Sequence, residues 1–176
     1  MSLIEAVLKG HYKASQRDNV SSVLIKILSS TGKNFFDSIV PAILSFGNLH
    51  GPIEQTYKLL TKDKKELDNL INRALKNNKK IPGWGSGFVK GKEDQIWKEC
   101  DDILKNNYGE LYDKIQFISE KLKSKNIFPN AACYTASCCI VENIPVEVST
   151  SLVIKGRIDG WIDIYMKHYK KDNLIF

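Results

Sequence analysis

A glycine-rich segment with bulky aromatic side chains is the part of the sequence best suited to approaching a ligand. Residues 81–91 contain four glycines and one proline, with Trp84, Phe88 and Val89 between them. Glycine has no Cβ, so the backbone of such a loop can come close to a bound molecule. The alternative is a plain surface connection, although two aromatic side chains in a loop need a surface to pack against. We therefore predict a functional loop here.

Positive charge is concentrated around this loop. The net charge of the chain is +6. The basic residues in question are Lys62, Lys64, Lys65, Arg73, Lys76, Lys79, Lys80, Lys90 and Lys92. Such a cluster suits a solvated face, a phosphorylated cofactor or a nucleic acid. No zinc finger, RNP signature or GXXG loop accompanies it, so we do not expect nucleic acid binding.

The cysteines do not have the spacing of a metal site. Cys100, Cys133, Cys138 and Cys139 include no Cys-x-x-Cys pair, and no histidine lies at ligand spacing from them. We expect no metal, and buried free thiols in a reducing cytoplasm rather than a reactive thiol.

No apolar run reaches the roughly 20 residues that cross a bilayer, and no signal peptide is expected. The sequence thus favours a cytoplasmic protein that does not enter a membrane.

Helical periodicity dominates the elements that must position these residues. One helix face is formed by the apolar residues Val20, Val23, Leu24, Ile27 and Leu28. Gly32 is placed to end this helix, Asn34 to cap the next one, and Pro41 predicts a kink unless the second helix begins there. Further helices are predicted over residues 53–60, 63–77, 94–105, 108–123, 131–141 and 147–169.

The segments between these helices are predicted to be turns and loops, and none of them is predicted to be a strand. In 63–77 the side chains predicted to face inward are Leu67, Leu70, Ile71 and Leu75. Residues 47–52 form a turn. No convincing strand alternation is present, so the predicted class is all-α. We expect the 47–52 turn and the 81–91 loop to face a common cleft.

Four segments, in order along the chain, resemble the citrate synthase and citryl-CoA lyase family. Residues 15–32 are similar to the family pattern DHGxNxSTFAARxxASTG, and residues 47–51 to GxLHGG. The matching residues are Asn19, Ser21, Ser30, Thr31, Gly32 and His50. Gln16 stands where the first pattern has its histidine. The resemblance covers almost the whole chain from about residue 15 and corresponds to the C-terminal part of the family.

The other two segments contain the main departures from the family. Residues 81–95 resemble xPGxGHxVYKxxDPR, but Ser86 stands at the histidine and Gln95 at the arginine. Residues 129–163 resemble PNVDxxxxxxLxxLGIP…xRxxGWxAH, but Ala132 stands at the aspartate and Asp163 at the late histidine. The residues that match in these two segments are Pro82, Gly83, Gly85, Lys90, Asn130, Pro145, Arg157, Gly160 and Trp161.

The resemblance implies site residues for the reaction of the family. That reaction needs a carboxylate base, a histidine that stabilises the enolate, and a second histidine with arginines that hold oxaloacetate. His50 corresponds to the enolate donor, Arg157 to a carboxylate clamp and Asn19 to a polar residue at the ligand. Coenzyme A or acyl-CoA binding is assigned to Pro82, Gly83, Trp84, Gly85, Ser86 and Lys90. The alternatives are a turn cap for His50 and a structural ion pair for Arg157.

Two substitutions argue against the family's own chemistry. Ala132 cannot accept a proton, and Ser86 cannot become protonated near neutral pH. We therefore expect negligible condensation of acetyl-CoA with oxaloacetate.

The remaining acidic side chains of these segments, Glu93, Asp94 and Asp163, are expected to be solvated. Cys133, beside the lost aspartate, is an alternative nucleophile, although no histidine adjoins it in sequence.

The resemblance also implies an architecture and a set of partners. The fold is expected to be citrate-synthase-like, multi-helical and truncated on its N-terminal side. Residues 1–176 would form a single domain made of the family's small domain and flanking large-domain helices. Uncovered apolar faces then predict a homodimer or a complex with a fuller synthase-like subunit. The two functions left open are a non-catalytic or regulatory homologue that binds coenzyme A, and an acyl-CoA-dependent acyltransferase or C–C lyase with an altered substrate and mechanism.

Overall fold

Helices make up the regular structure of the described residues. The computed structural model describes residues 1–46, 52–87 and 89–169. The α-helices are α1 (Leu3–Ser15), α2 (Val20–Ser30), α3 (Phe35–Leu44), α4 (Ile53–Leu60), α5 (Lys64–Lys76), α6 (Lys98–Asn107), α7 (Gly109–Leu122), α8 (Ala131–Val141) and α9 (Ser149–His168). Short 3-10 turns cover Gln95–Trp97, Lys123–Lys125 and Val146–Val148. Across the described ranges no strand forms, and an isolated bridge joins Trp84 to Pro129. The all-α prediction is confirmed.

The first helix was missed in the sequence, where the predicted helices began at Val20. Ser2 and Glu5 form a capping box at its start. The Glu5 amide donates to Ser2 Oγ at 3.3 Å, and the Ser2 amide donates to the Glu5 carboxylate at 2.8 Å. The S-x-x-E spacing is visible in the sequence and predicts a helix start.

Helix α2 ends, and helix α3 begins, where Gly32 and Asn34 predict. The Asn19 side chain accepts from the Ser22 amide at 3.1 Å, and the Asn34 side chain accepts from the Asp37 amide at 2.9 Å. Gly32 follows α2 with a φ of +81°, a left-handed conformation that favours glycine. Pro41 lies inside α3, which extends past it to Leu44. The first predicted helix and its neighbour are thereby confirmed.

Helix α5 buries a narrower face than the sequence suggests. Leu67 and Ile71 are fully buried, but Leu70 is 44% exposed and Leu75 is half-buried. Leu67 and Ile71 are four residues apart and share one face, whereas Leu70 lies at its edge. The inward placement predicted for Leu70 is wrong, because this helix packs along one side only.

The core forms around α8 and the crossing of α1 with α9. Residues 132–139 of α8 are all buried, and most of them are small. Gly156 and Gly160 allow α9 to approach α1 closely. A Cβ at Gly156 would lie 2.6 Å from His11 Cβ, and one at Gly160 would lie 1.8 Å from Ser15 Oγ. This close crossing brings the inner faces of α1 and α9 to the same place beside α8.

The described helices show no membrane-crossing character. None of them, within the three described ranges, is both long enough and apolar enough to span a bilayer. The assignment of residues 1–176 to a single domain stays a prediction.

Candidate functional site

A cavity of about 210 Å³ lies where α1, α8, α9 and the 81–91 loop meet. Its wall includes His11, Ala14, Arg17, Asn19, Phe46, Pro52, Gly85, Ser86, Gly87, Asp94, Asn130, Ala132, Thr135 and Arg157. Pro52 and residues 85–87 border the same cavity, so the two predicted loops share a cleft at these positions. Residues 47–51, which include His50, lie outside the described residues.

Arg157 is a buried cation on this wall. It is 6% exposed, and its Nη1 donates to Asn19 Oδ1 at 3.2 Å and to Ser21 Oγ at 3.0 Å. Its guanidinium carbon lies 5.3 Å from the centre of the Phe46 ring. Among the described residues no carboxylate pairs with it, and its Nε has no hydrogen-bond partner. Burial lowers the pKa of Arg157 to about 10, so it remains positively charged at neutral pH.

Asn19 holds this guanidinium in place. It is 3% exposed, and its side-chain oxygen also accepts from the Ser22 amide and from Ser21 Oγ at 2.6 Å. Its amide nitrogen donates to the Ala14 carbonyl at 2.8 Å. Both ends of the Asn19 side chain are therefore engaged within the protein. Asn19 lies on the cavity wall and its bonds orient Arg157, while its contact with a ligand stays a prediction.

Asn130 ties the glycine-rich loop to the start of α8. Its amide nitrogen Nδ2 donates to the Gly85 carbonyl at 2.6 Å, and its backbone amide donates to the Gly83 carbonyl at 2.9 Å. The Gly85 amide in turn donates to the Phe128 carbonyl at 2.8 Å. The same side chain caps α8 through the Ala132 amide at 2.9 Å. These bonds place residues 85–87 beside the first turn of α8.

The residues predicted to bind coenzyme A separate into two groups. Gly85 and Ser86 lie on the cavity wall, while Pro82, Gly83, Trp84 and Lys90 do not. Trp84 is 6% exposed and donates through Nε1 to Ser119 Oγ at 3.1 Å, so the core is the surface that its ring packs against. Gly83 has a φ of +85° and packs on Thr56, where a Cβ would lie 2.5 Å from Cγ2. The roles of all six residues stay predictions.

The wall contains no carboxylate at the position where the family pattern has its aspartate. Ala132 lies in the first turn of α8 and is 4% exposed. Ser86 faces the same cavity from the loop. Both substitutions found in the sequence therefore fall at one place in the structure. Neither side chain can exchange a proton with a ligand near neutral pH.

An ion pair between Arg17 and Asp94 closes one side of the cavity. Arg17 Nη1 donates to Asp94 Oδ2 at 2.6 Å, and Nη2 donates to Asp94 Oδ1 at 2.9 Å. The Asp94 side chain is only 9% exposed, so its predicted solvated state is wrong. Nothing in the sequence signals this pairing, because the two residues are 77 positions apart.

His11, on helix α1, is a wall residue that the sequence analysis does not identify. It is 1% exposed, and its Nε2 lies 2.8 Å from Thr135 Oγ1. Its Nδ1 is buried and has no partner among the described residues. Burial, and to a smaller extent the charge of Arg157, hold the pKa of His11 well below its usual value. The ring is therefore neutral at physiological pH.

The cysteine thiols are placed for packing. All four are buried and free. Burial raises the pKa of Cys139 to about 11 and also raises that of Cys133. A protonated, fully buried thiol is a poor nucleophile, so the structure argues against Cys133 as the substitute for the lost aspartate.

Comparison with known proteins agrees with the resemblance seen in the sequence. The family model described as citrate synthase, C-terminal domain, matches residues 4–176. Citrate synthase of Haloferax volcanii is 25% identical over 167 residues, with 89% of this chain and 44% of the relative covered. Citrate synthase of Helicobacter pylori strain J99 is 25% identical over 175 residues, with 89% and 41% covered. The chain thus spans less than half the length of these curated relatives.

Solved structures show the same fold. The crystal structure of citrate synthase from Thermotoga maritima aligns with a TM-score of 0.80 at 22% identity, over 99% of this chain and 51% of that one. The structure of ATP citrate lyase from Methanothrix soehngenii, in complex with citrate and coenzyme A, aligns with a TM-score of 0.76 at 17% identity. It covers 97% of this chain and 32% of that one.

Proposed function

Because the chain belongs to the citrate synthase C-terminal domain family, we propose that it is a non-catalytic binding member of that family. In this proposal the cavity holds a small carboxylate at Arg157 and does not condense acetyl-CoA with oxaloacetate. The observation that carries the proposal is the buried guanidinium, which has no carboxylate partner among the described residues and lies on the wall of a cavity without the family base.

The energetics of Arg157 favour an anion in the cavity. A buried ion without a counter-ion costs several kcal/mol in desolvation, which two hydrogen bonds and one aromatic face offset only in part. A carboxylate entering the cavity supplies the missing charge and forms strong hydrogen bonds with a guanidinium. Arg157 is oriented for this role by Asn19 and Ser21.

The loss of condensation follows from the wall residues. A positioned general base contributes about 10²–10⁴-fold to a rate, and one oxyanion-type donor about 10²–10³-fold. Ala132 and Ser86 supply neither a base nor a cationic donor. The Asp94 carboxylate lines the cavity, but both of its oxygens already accept hydrogen bonds from the terminal nitrogens of Arg17.

The proposal is tested by titrating pyruvate, a small carboxylate probe, into the protein and into Arg157→Met. Pyruvate is expected to bind with a dissociation constant of about millimolar, and methionine is expected to weaken it at least about tenfold. Arg73→Met, which changes an exposed arginine of α5 outside the cavity lining, is the matched control and keeps the wild-type affinity. Equal binding to the wild type and Arg157→Met contradicts the carboxylate site.

A thiol-release assay with acetyl-CoA and oxaloacetate tests the non-catalytic part. We expect no turnover from the wild type, and at most a trace from the double variant Ala132→Asp/Ser86→His. A turnover number within the ordinary enzyme range of about 1–10³ s⁻¹ contradicts the non-catalytic proposal.

Such turnover would favour the second candidate function, an acyl-CoA acyltransferase or C–C lyase with altered chemistry. The observation that favours this candidate is the presence of an imidazole, His11, among the residues of the cavity wall.

Coenzyme A binding at the loop is the remaining element of the proposal. Its support is the position of Gly85 and Ser86 on the cavity wall, the exposed Lys90 and Lys92 beside them, and a similar fold whose structure holds citrate and coenzyme A. Basic side chains attract the phosphates of that cofactor.

Gly87 offers a clean test of this contact. It has an ordinary φ and nothing within 4 Å of an added Cβ, so valine there fills the approach to the cavity without straining the backbone. We expect calorimetry at low salt to show coenzyme A binding that Gly87→Val abolishes. Gly109→Val, equally open at the start of α7, is the matched control. Heat that is absent at millimolar coenzyme A, or unchanged by Gly87→Val, leaves the loop with a packing role.

A further inference from the structure

The balance of charge on the cavity wall depends on three side chains. Among the described residues that line the cavity, Arg17 and Arg157 are the cations and Asp94 is the carboxylate. His11 lines the same cavity but is neutral, mainly because burial lowers its pKa. The charge that the wall presents to a ligand is therefore set by which of the two arginines Asp94 neutralises.

Asp94 neutralises Arg17 and leaves Arg157 unpaired. The two carboxylate oxygens accept from the two terminal nitrogens of Arg17 at 2.6 and 2.9 Å, which is the bidentate geometry of a strong ion pair. The carboxylate also caps the 3-10 turn that follows it, since its Oδ1 accepts a longer hydrogen bond from the Ile96 amide at 3.4 Å. Two different contacts therefore fix the position of Asp94 on the wall.

Neither partner of this pair belongs to the family patterns. Arg17 stands at the glycine of DHGxNxS, and Asp94 stands at the proline of the DPR sequence. Gln95 stands at the arginine that follows this proline, and it does not line the cavity. The arginine of the pattern is thus absent, and the arginine that this chain has in addition comes with its own carboxylate. Across the described part of the wall, Arg157 is the cation left without a carboxylate.

A ligand carboxylate would have to displace Asp94 in order to reach Arg17. Because Asp94 belongs to the same folded chain, its effective concentration beside Arg17 exceeds that of a ligand supplied at millimolar concentration. The bidentate pair also occupies the planar donor fork that a ligand carboxylate would need. A second ligand carboxylate would instead lose its hydration next to Asp94, and like charges brought together oppose binding.

We infer that the Arg17–Asp94 pair is a specificity determinant that restricts the cavity to ligands with one carboxylate and rejects dicarboxylates. Asp94 is the built-in counter-ion of the cation that a second ligand carboxylate would need, and Arg157 holds the remaining carboxylate. This inference rests on the carboxylate site of the proposed function and adds to it the charge of the ligand.

Succinate and succinamate are a matched pair of probes for this selection. Succinamate has an amide in place of one carboxylate, so the two molecules have the same number of heavy atoms and differ by one charge. We expect calorimetry at low salt to show that the wild-type protein binds succinamate about tenfold more tightly than succinate. A wild-type protein that binds succinate as tightly as succinamate, or more tightly, overturns the inference.

The variant Asp94→Asn releases Arg17 and keeps an oxygen that can accept from the Ile96 amide. We expect it to shift the ratio of the two affinities toward succinate by at least about tenfold, because the freed guanidinium can pair with the second carboxylate. The double variant Asp94→Asn/Arg17→Gln removes that cation and is expected to lose the shift. A ratio that Asp94→Asn leaves unchanged, or a shift that persists without Arg17, contradicts the inference.

Glu99→Gln is the matched control for the loss of one negative charge from an ion pair. Glu99 on α6 pairs with Lys9 on α1 at 2.7 Å, and neither residue lines the cavity. We expect the ratio of affinities to stay within about twofold of wild type. A shift as large as that of Asp94→Asn would show that overall charge sets the preference, and it would overturn the inference. Circular dichroism checks that each variant is folded, and if Asp94→Asn is not, the wild-type comparison decides.

The failure of this inference differs from failure of the proposed function. If succinamate and succinate bind equally and both depend on Arg157, the carboxylate site stands and the Arg17–Asp94 pair has no part in selection. If neither ligand nor pyruvate binds, or if binding is unaffected by Arg157→Met, both proposals are wrong.

Discussion

Two arginines on the cavity wall that look alike in the sequence have different surroundings in the structure, and only Arg157 is buried. Arg17 pairs with the Asp94 carboxylate through two hydrogen bonds, whereas Arg157 contacts, among the residues that the structure describes, an amide oxygen, a hydroxyl and an aromatic ring but no carboxylate. A guanidinium without an anion contributes little to folding, because its desolvation is poorly compensated. The difference between the two arginines is the physical basis for assigning a ligand to one of them.

This difference predicts the effect of Arg157→Met on stability. Methionine fills a similar volume without a charge, so we expect the free energy of unfolding without ligand to stay within about 1 kcal/mol of wild type or to increase. Urea unfolding followed by circular dichroism measures it. A loss of more than about 3 kcal/mol would show that Arg157 is a structural residue instead.

The buried His11 ring makes stability depend on pH. Its pKa is well below the usual value in the folded state, whereas the unfolded chain has an ordinary pKa of about 6.5. Its contribution is therefore fully present above about pH 6.5 and is lost as the pH falls, because only the unfolded state then takes up the proton. The maximum slope is about 1.4 kcal/mol per pH unit.

Substituting this histidine isolates its part of the pH dependence. We expect His11→Gln to show a shallower loss of unfolding free energy between about pH 6.5 and pH 5, a range in which most carboxylates remain ionised. Urea unfolding at closely spaced pH values is the measurement. Parallel curves for the wild type and the variant would contradict a neutral His11 in the folded protein.

At the scale of elements, the site depends on how closely α1 and α9 approach. Gly160 faces the end of α1, and an added Cβ would lie 1.8 Å from Ser15 Oγ and 3.0 Å from Ser15 Cβ. The Ser15 hydroxyl already donates to the Tyr12 carbonyl at 2.6 Å, and the Ser15 carbonyl accepts from Ser22 Oγ. The end of α1 therefore has little room to move away.

Gly160→Ala is consequently expected to destabilise the protein by about 1–3 kcal/mol, as overpacking does in a close-packed interior. Thermal unfolding measures the effect. Gly109→Ala at the start of α7 is the control, since nothing lies within 4 Å there and alanine favours a helix. If both alanine variants are as stable as the wild type, α1 and α9 do not cross as closely as described.

At the scale of the whole molecule, apolar side chains remain exposed on α2 and α3. Val20 and Ile27 on α2 are 53% and 54% exposed, and Phe36 and Leu44 on α3 are 72% and 76% exposed. These two helices pack against each other, so four large apolar groups lie on one pair of elements. Surfaces of this kind are commonly covered in an assembly.

We therefore predict that the purified protein forms at least a dimer at micromolar concentration. Light scattering coupled to size-exclusion chromatography measures the mass. Phe36→Asp is expected to shift the protein toward a monomer, because a charge in an apolar interface is costly. Leu70→Asp, at the exposed edge of α5, is the matched control and keeps the assembly. A uniform 20.0 kDa species in the wild type would contradict the prediction.

Local signals in the sequence are enough to predict most of the helices and to recognise the family. Apolar spacing, the capping residues Asn19 and Asn34, and Gly32 predicted α2 and α3, and the same periodicity indicated the all-α class. Capping and turn chemistry act over a few residues, so they can be recognised without knowing the fold. Helix α1 has the same kind of signal, because Ser2 and Glu5 form a capping box at its start.

The character of the cavity was decided only by the tertiary structure. The sequence placed Asn19, Arg157, Ala132 and Ser86 by their resemblance to family motifs, but it did not show that Arg157 has no carboxylate partner within the described ranges. It also did not show that Asp94 is paired and buried, or that Trp84 packs in the core. Charge state, burial and hydrogen-bond satisfaction depend on every group that surrounds an atom. In a helical fold those groups come from segments far apart in the chain, so local patterns do not determine them.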